Sequence, residues 1–274
     1  MIVFPNAKIN IGLNITEKRK DGFHNLETIF YPVSLSDILE FTVSKDKTTF
    51  NNSGLKIDVP SDKNLVITAY QLLKKKYNLP ELHIHLHKII PFGAGLGGGS
   101  SDAAFMLKSL NNYFKLKLTT KTLENYAQKL GSDCPFFIKN NAVIACGTGN
   151  IFTEVKINLS NYFILIVIPN IQVSTKEAFK GINPEETTKW SKKLINLPVS
   201  EWKNIIRNDF EESIFKLYPE IKTIKDNLYR KGALYAQMSG SGSSIFGIFN
   251  KKPEITNTFN KYFTFLQKPL YGIL

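Results

Sequence analysis

The chain has 274 residues, enough for one large domain or two ordinary ones with a sizeable buried core. Its 35 Lys and Arg against 23 Asp and Glu leave a formal charge of +12, but the lysines are scattered among abundant Asn and Ile. A dedicated nucleic-acid surface is therefore not expected, and the charge serves better as a positive field around sites for anionic small molecules. Two cysteines, Cys134 and Cys146, give neither a disulfide framework nor metal-ligand spacing. They fit a reduced, cytoplasmic setting and read as core residues. Nothing resembles a signal peptide, and the apolar run 162–169 falls far short of the roughly 20 residues a membrane helix needs, so no membrane partner is expected.

In chain order, residues 1–60 read as strands at 1–4, 9–15, 28–33 and 38–43, broken by turn signals at Lys20-Asp21-Gly22 and Asn51-Asn52-Ser53-Gly54. Lys8 falls on a buried strand pattern between Ala7 and Ile9, an unusual place for an ammonium, whose burial is costly without an anionic partner. Asn64, Leu65 and Val66 open a helix running to about residue 77. The alternation over 82–90 marks a half-buried strand. One of its faces carries His83, His85 and His87, which read as a polar face because a single strand gives no closed tetrahedral set of zinc ligands.

That strand runs into Pro91-Phe92-Gly93-Ala94-Gly95-Leu96-Gly97-Gly98-Gly99-Ser100-Ser101, and residues 103–110 are then apolar at helical spacing. A strand, a loop with five glycines and a helix start make a ready phosphate site. Glycine lets the backbone approach a ligand, Ser100 or Ser101 caps the helix, and the first-turn N–H groups face an anion with the help of the helix dipole. No lysine stands where a Walker loop needs one. Gly93-x-Gly95-x-x-Gly98 matches the dinucleotide fingerprint formally, but about 20 residues on, where a strand ending in an acidic residue is required, Leu118-Thr119-Thr120-Lys121 opens a polar helix. A dinucleotide oxidoreductase stays a remote alternative. Helix 122–130, turn 131–135 and strand 141–146 complete a first domain, residues 1–155. Within the turn Asp133, taken alone, reads as a carboxylate that shapes the chain reversal. The second domain, 156–274, reads as strand 162–168, helix 174–180, a polar stretch 183–206 with both tryptophans, helix 219–231 and strands 234–238 and 244–249, a second α+β sandwich.

Residues 91–104 resemble the second motif of the GHMP kinase superfamily, and Met238-Ser239-Gly240-Ser241-Gly242-Ser243-Ser244 is similar to its glycine-rich third motif. Ala7-Lys8-Ile9-Asn10-Ile11-Gly12-Leu13, the run from Arg19 to Phe30 and Leu130-Gly131-Ser132-Asp133-Cys134-Pro135-Phe136-Phe137 extend the likeness over nearly the whole chain. They are similar to the branch that acts on a cytidyl diphosphate sugar alcohol in the non-mevalonate (MEP) route to isoprenoid precursors. The resemblance implies an α+β, two-domain GHMP kinase fold, the N-terminal domain like the second domain of ribosomal protein S5 and the C-terminal domain a ferredoxin-like α/β sandwich, with the site between them.

For chemistry the resemblance implies ATP-dependent phosphorylation of a 2-hydroxyl, with Mg²⁺ carried on the nucleotide, its protein ligands unassigned, and no obligate protein partner. It places a catalytic base at Asp133 and supplies that carboxylate as the partner of Lys8, which keeps it ionised and stabilises charge on the reacting oxygen or γ-phosphate. Asn64 and Leu65 match the adenine pocket, Asn10 and Thr175 the sugar-alcohol phosphate portion, and Phe23, His24 and Phe179 the cytidine, held between two rings beside a histidine. Phe23 stands where the branch commonly has tyrosine, which keeps a ring and loses a hydroxyl. Another GHMP kinase, for homoserine or mevalonate, is the nearer alternative; a nucleic-acid-binding module on the S5-like domain is the remoter one.

Overall fold

The computed structural model describes residues 1–56, 60, 63–180, 182, 197–255 and 257–269. Its strands are β1 (Ile2–Val3), β2 (Asn6–Lys18), β3 (His24–Ser36), β4 (Ile38–Val43), β5 (Thr49–Gly54), β6 (Leu82–Lys88), β7 (Val143–Cys146), β8 (Ile151–Glu154), β9 (Phe163–Ile168), β10 (Tyr235–Met238), β11 (Ile245–Phe249) and β12 (Phe263–Gln267). Its α-helices are α1 (Leu65–Tyr77), α2 (Gly98–Tyr113), α3 (Thr120–Gln128), α4 (Phe136–Lys139), α5 (Thr175–Lys180), α6 (Phe210–Leu217) and α7 (Pro219–Arg230). The class is α+β. The chain forms two compact units that exchange segments: residues 1–8, 34–92 and 97–141 make the first, and 9–33, 93–96 and 142–274 the second.

In the first unit the sheet order is β1-β4-β6-β5, antiparallel except for the parallel β5–β6 pair. α1 begins where expected because Asn64 caps it, its side chain accepting from Val66 N–H at 2.9 Å, and Lys74, Lys75 and Lys76 in the last turn suit the negative end of the helix dipole. α2 begins earlier than the sequence suggested. Its N-cap is Gly97, at φ +69 and without a side-chain bond, so neither Ser100 nor Ser101 caps it; both lie inside the first turn. The expected turn at Asn51-Asn52-Ser53-Gly54 is instead the second half of β5. An edge strand tolerates such polar residues, and the Ser53 hydroxyl lies 3.0 Å from His85 Nε2 and 2.8 Å from His87 Nδ1, giving those histidines partners on the neighbouring strand.

The second unit holds two sheets, β2-β3-β7-β8 and the antiparallel β10-β11-β9-β12. β9 is Phe-Ile-Leu-Ile-Val-Ile and almost wholly buried, as an inner strand covered on both faces must be. Its Leu165 and Val167 join Ile214 of α6 and Ile221, Ile224 and Leu228 of α7 in the unit's core. β8, β12, α4 and α6 were not read from the sequence. Of the polar stretch 183–206, residues 183–196, including Trp190, lie outside the described residues. Trp202 is buried in a short 3-10 helix, Val199–Asn204, its indole N–H donating to the Leu197 carbonyl at 3.1 Å. Of the two cysteines only Cys134 is core; Cys146 is half-buried at the end of β7, which pairs with β3 on one side and β8 on the other.

Candidate active site

Within the first unit, Lys8 and Asp133 come together as the resemblance implied. Lys8 Nζ stands 3.4 Å from Asp133 Oδ2, with the lysine side chain 5% exposed and the carboxylate 33% exposed. The asymmetry matters chemically: the ammonium is fixed by packing, while the carboxylate keeps an open side on which a hydroxyl can sit. Asp133 owes its place to the tight chain reversal before α4, where Cys134 N–H donates to Gly131 O and Phe136 N–H to Asp133 O, both at 3.2 Å. Cys134 beside it is inert, since burial pushes its thiol up to about 11. A Cβ on Gly97 would lie 3.2 Å from Lys8 Cε and 3.1 Å from Phe137 Cζ, so the N-cap of α2 rests directly on the lysine stem. Leu65, after the cap residue Asn64, lies 3.9 Å from the Cβ position of Gly99. Ser101 is buried, Ser100, Pro91 and Gly99 are half-buried, and Phe92 is exposed.

Within the second unit, Gly93, Ala94, Gly95 and Leu96 are held by the third motif. Ser239 Oγ donates to the Gly95 carbonyl at 2.9 Å and accepts from Asn10 N–H at 3.1 Å; Ser244 Oγ donates to the Ala94 carbonyl at 2.6 Å. A Cβ on Gly95, at φ +76, would collide with the Ser239 carbonyl, so the approach of these two loops requires glycine. Asn10 Nδ2 donates to Thr28 Oγ1 at 3.1 Å, and its Oδ1 lies 3.3 Å from the Cβ position of Gly240. Thr175 Oγ1 stands 3.5 Å from Ser241 Oγ, which brings that residue to the same loop, and Gly242 closes the loop at φ +94.

His24 and Phe179 also meet, and in a specific way: their rings stack at 4.6 Å between centroids and 18° between planes, while Phe210 meets Phe179 edge-on at 4.9 Å. Burial, with Lys18 adding to it, lowers the His24 pKa and favours the neutral imidazole. Phe23 is not part of this stack and is 65% exposed.

Sequence reasoning missed Asn208. Its Nδ2 donates to the carbonyls of Met238 and Gly240, both at 2.8 Å, and its Oδ1 accepts from Phe210 N–H at 3.0 Å, so one side chain shapes the third motif and starts α6. The readable signal was Asn-Asp before Phe-Glu-Glu, a helix-start pattern. A basic groove of about 600 Å³ between α1 and α3, lined by Lys75, Lys76, Lys129 and Tyr126 among others, contains none of these residues.

Comparison with known proteins gives the family. Residues 64–141 match the family described as GHMP kinases N terminal domain, and residues 192–264 match GHMP kinases C terminal. The chain is 55% identical over 259 residues, 93% of it and 94% of the relative, to a 4-diphosphocytidyl-2-C-methyl-D-erythritol kinase of Bacteroides fragilis. The crystal structure of a 4-(cytidine 5'-diphospho)-2C-methyl-D-erythritol kinase covers 90% of each chain at a TM-score of 0.78 and 30% identity. That of a mevalonate kinase covers 91% of each at a TM-score of 0.72 but 16% identity, a likeness of fold alone. The chain belongs to the GHMP kinase family and, within it, to the 4-diphosphocytidyl-2-C-methyl-D-erythritol kinases.

Proposed function

We propose that the protein transfers the γ-phosphoryl group of ATP to the 2-hydroxyl of 4-diphosphocytidyl-2-C-methyl-D-erythritol, with Asp133 taking the hydroxyl proton. The observation that carries the residue assignment is the Lys8–Asp133 pair at 3.4 Å, one partner buried and the other open. The buried ammonium stands beside the carboxylate that takes the proton, and it lies where it can neutralise charge as the acceptor oxygen attacks. The residues from Gly93 to Ser101 supply the phosphate cradle, since first-turn amides of a helix lack intrahelical acceptors and point toward an anion. Asn64 and Leu65 then border the adenine. Asn10, Thr175 and the 239–242 loop serve the acceptor's phosphate-bearing portion, and Phe179 with His24 and Phe23 serves its cytosine.

The part-exposed Asp133 carboxylate is a hard oxygen donor of the kind a magnesium–nucleotide complex accepts, while among the described residues no group of three or more His, Cys, Asp or Glu could hold an ion by itself. In this reading Mg²⁺ would be carried on the nucleotide, where it would supply charge neutralisation of the phosphates. An N-terminal domain at 1–155 with the loop and catalytic residues, and a C-terminal domain at 156–274 with the third motif, belong to the same proposal; the two family matches fall on either side of that division. No described helix is long and apolar enough to cross a membrane.

The test is ADP release with the cytidyl substrate, homoserine and mevalonate offered in parallel. Turnover with the cytidyl substrate alone supports the reading; equal or better turnover with either of the others overturns it.

A further inference from the structure

Below the first residue of α2 lies a charged cluster that the proposed chemistry does not use. Lys88 at the end of β6, Asp37 between β3 and β4, and Asp102 at the start of the second turn of α2 are all buried. Lys88 Nζ donates to Asp37 Oδ2 and, at 2.9 Å, to Asp102 Oδ2. Asp37 Oδ1 also accepts the N–H groups of Ile89 at 2.6 Å and Ile90 at 2.8 Å, so Asp37 is supplied with donors on both oxygens, as an anion requires. One ammonium then faces two carboxylates. Asp102 Oδ1 is buried and has no hydrogen-bond partner among the described residues, a poor setting for a charged oxygen. Lys88 Nζ lies 2.9 Å from the Cβ position of Gly98, which sets the cluster directly against the helix N-terminus.

We propose that Asp102 is a positioning residue for the phosphate loop and works in its protonated, neutral form. With Asp37 as the anion and Lys88 as the cation it ties the end of β6 to the start of α2, the two feet of the loop, without a net negative charge under the site of an incoming triphosphate. Loss of that proton to solvent leaves the cluster with one uncompensated negative charge, which opposes phosphate binding through a medium of low dielectric. The inference rests on the reading of the helix start as an ATP cradle.

The charged groups that face Asp102 are Lys88 and Asp37; the titratable side chains buried on the helices packed against α2 are Tyr70 of α1 and Tyr126 of α3, and α4 buries only Phe136, Phe137 and Ile138. Burial, the largest influence, pushes the Asp102 carboxyl up to about 8, with Lys88 opposing and Asp37 reinforcing it.

Two measurements test this. In the nucleotide-free wild type, carboxyl-¹³C-labelled aspartate followed by NMR should show one carboxyl that titrates near pH 8; completion of every aspartate titration below pH 6 overturns the proposal whether or not ATP binds. By calorimetry, the Kd for ATP should rise about tenfold between pH 7 and pH 9, as the competent protonated fraction falls. Asp102→Asn has the shape of the protonated carboxyl and should hold the pH 7 affinity across that range, a difference that a merely structural role would not produce. Parallel pH profiles in wild type and variant overturn the proposal. Absence of ATP binding at every pH overturns the cradle reading itself, and the positioning role with it.

Discussion

An ammonium on a buried strand costs several kcal/mol unless an anion answers it, and at Lys8 that anion is Asp133. The pair is therefore expected to act as a unit. Asp133→Asn should lower kcat by roughly 10²–10⁴ with ATP affinity nearly unchanged, the usual scale for a general base. Lys8→Met should lower it comparably, and the double variant should lose far less than the product of the two. Multiplicative losses in that cycle would show that the residues act independently. The cytosine assignment has its own test. Phe179→Ala should weaken cytidyl-substrate binding by about 1–3 kcal/mol, roughly 5- to 150-fold in Kd, and leave ATP binding intact. Because His24 is stacked on Phe179 at 4.6 Å, His24→Ala should act in the same direction, whereas Phe23 is 65% exposed. Equal damage to ATP and cytidyl binding would assign these rings to the core.

At the scale of elements, the glycine loop divides into positions that require glycine and positions that do not. Gly95 sits at φ +76 with its Cβ direction blocked by the Ser239 carbonyl, so Gly95→Ala must displace the third motif and should lower both thermal stability and ATP binding. Gly99 lies within α2, at an ordinary φ, with nothing nearer than Leu65 Cδ1 at 3.9 Å. Gly99→Ala should therefore keep or raise stability, by up to about 1 kcal/mol from helix propensity. Urea unfolding of the two variants checks the contrast; a Gly95→Ala protein as stable as wild type would mean that the third motif yields without cost. The third motif has a second support in Asn208, whose removal leaves two buried carbonyls without their donor. Asn208→Ala should cost about 1–3 kcal/mol in the same assay.

For the whole molecule, a formal charge of +12 draws anionic substrates from solution, so kcat/KM for ATP should fall steeply with added salt while kcat changes little; salt-independent kcat/KM would show that the charge is only solvating. The sequence by itself determined the α+β class, the strand–glycine loop–helix unit, the helix opening at 64–66 and the family, because local periodicity and ordered motifs are properties of neighbours along the chain. It also singled out Lys8, since an ammonium in an apolar run is anomalous wherever that run folds. It did not reveal β5, whose Asn-Asn-Ser-Gly reads locally as a turn and becomes a strand only through pairing with β6. Nor did it reveal that α2 starts at a bare Gly97, a choice made by the packing of Phe137 and Lys8 against that residue rather than by a serine cap. The 3.4 Å distance between residues 8 and 133, the His24–Phe179 stack, the Asn208 clamp and the Asp37–Lys88–Asp102 cluster join positions 14 to 155 residues apart, from Lys88–Asp102 to His24–Phe179. The resemblance named Asp133 as the partner of Lys8, but only the tertiary structure decided these geometries, because the distance and angle at which buried charges and rings meet depend on how the strands and helices pack, and no local pattern encodes that.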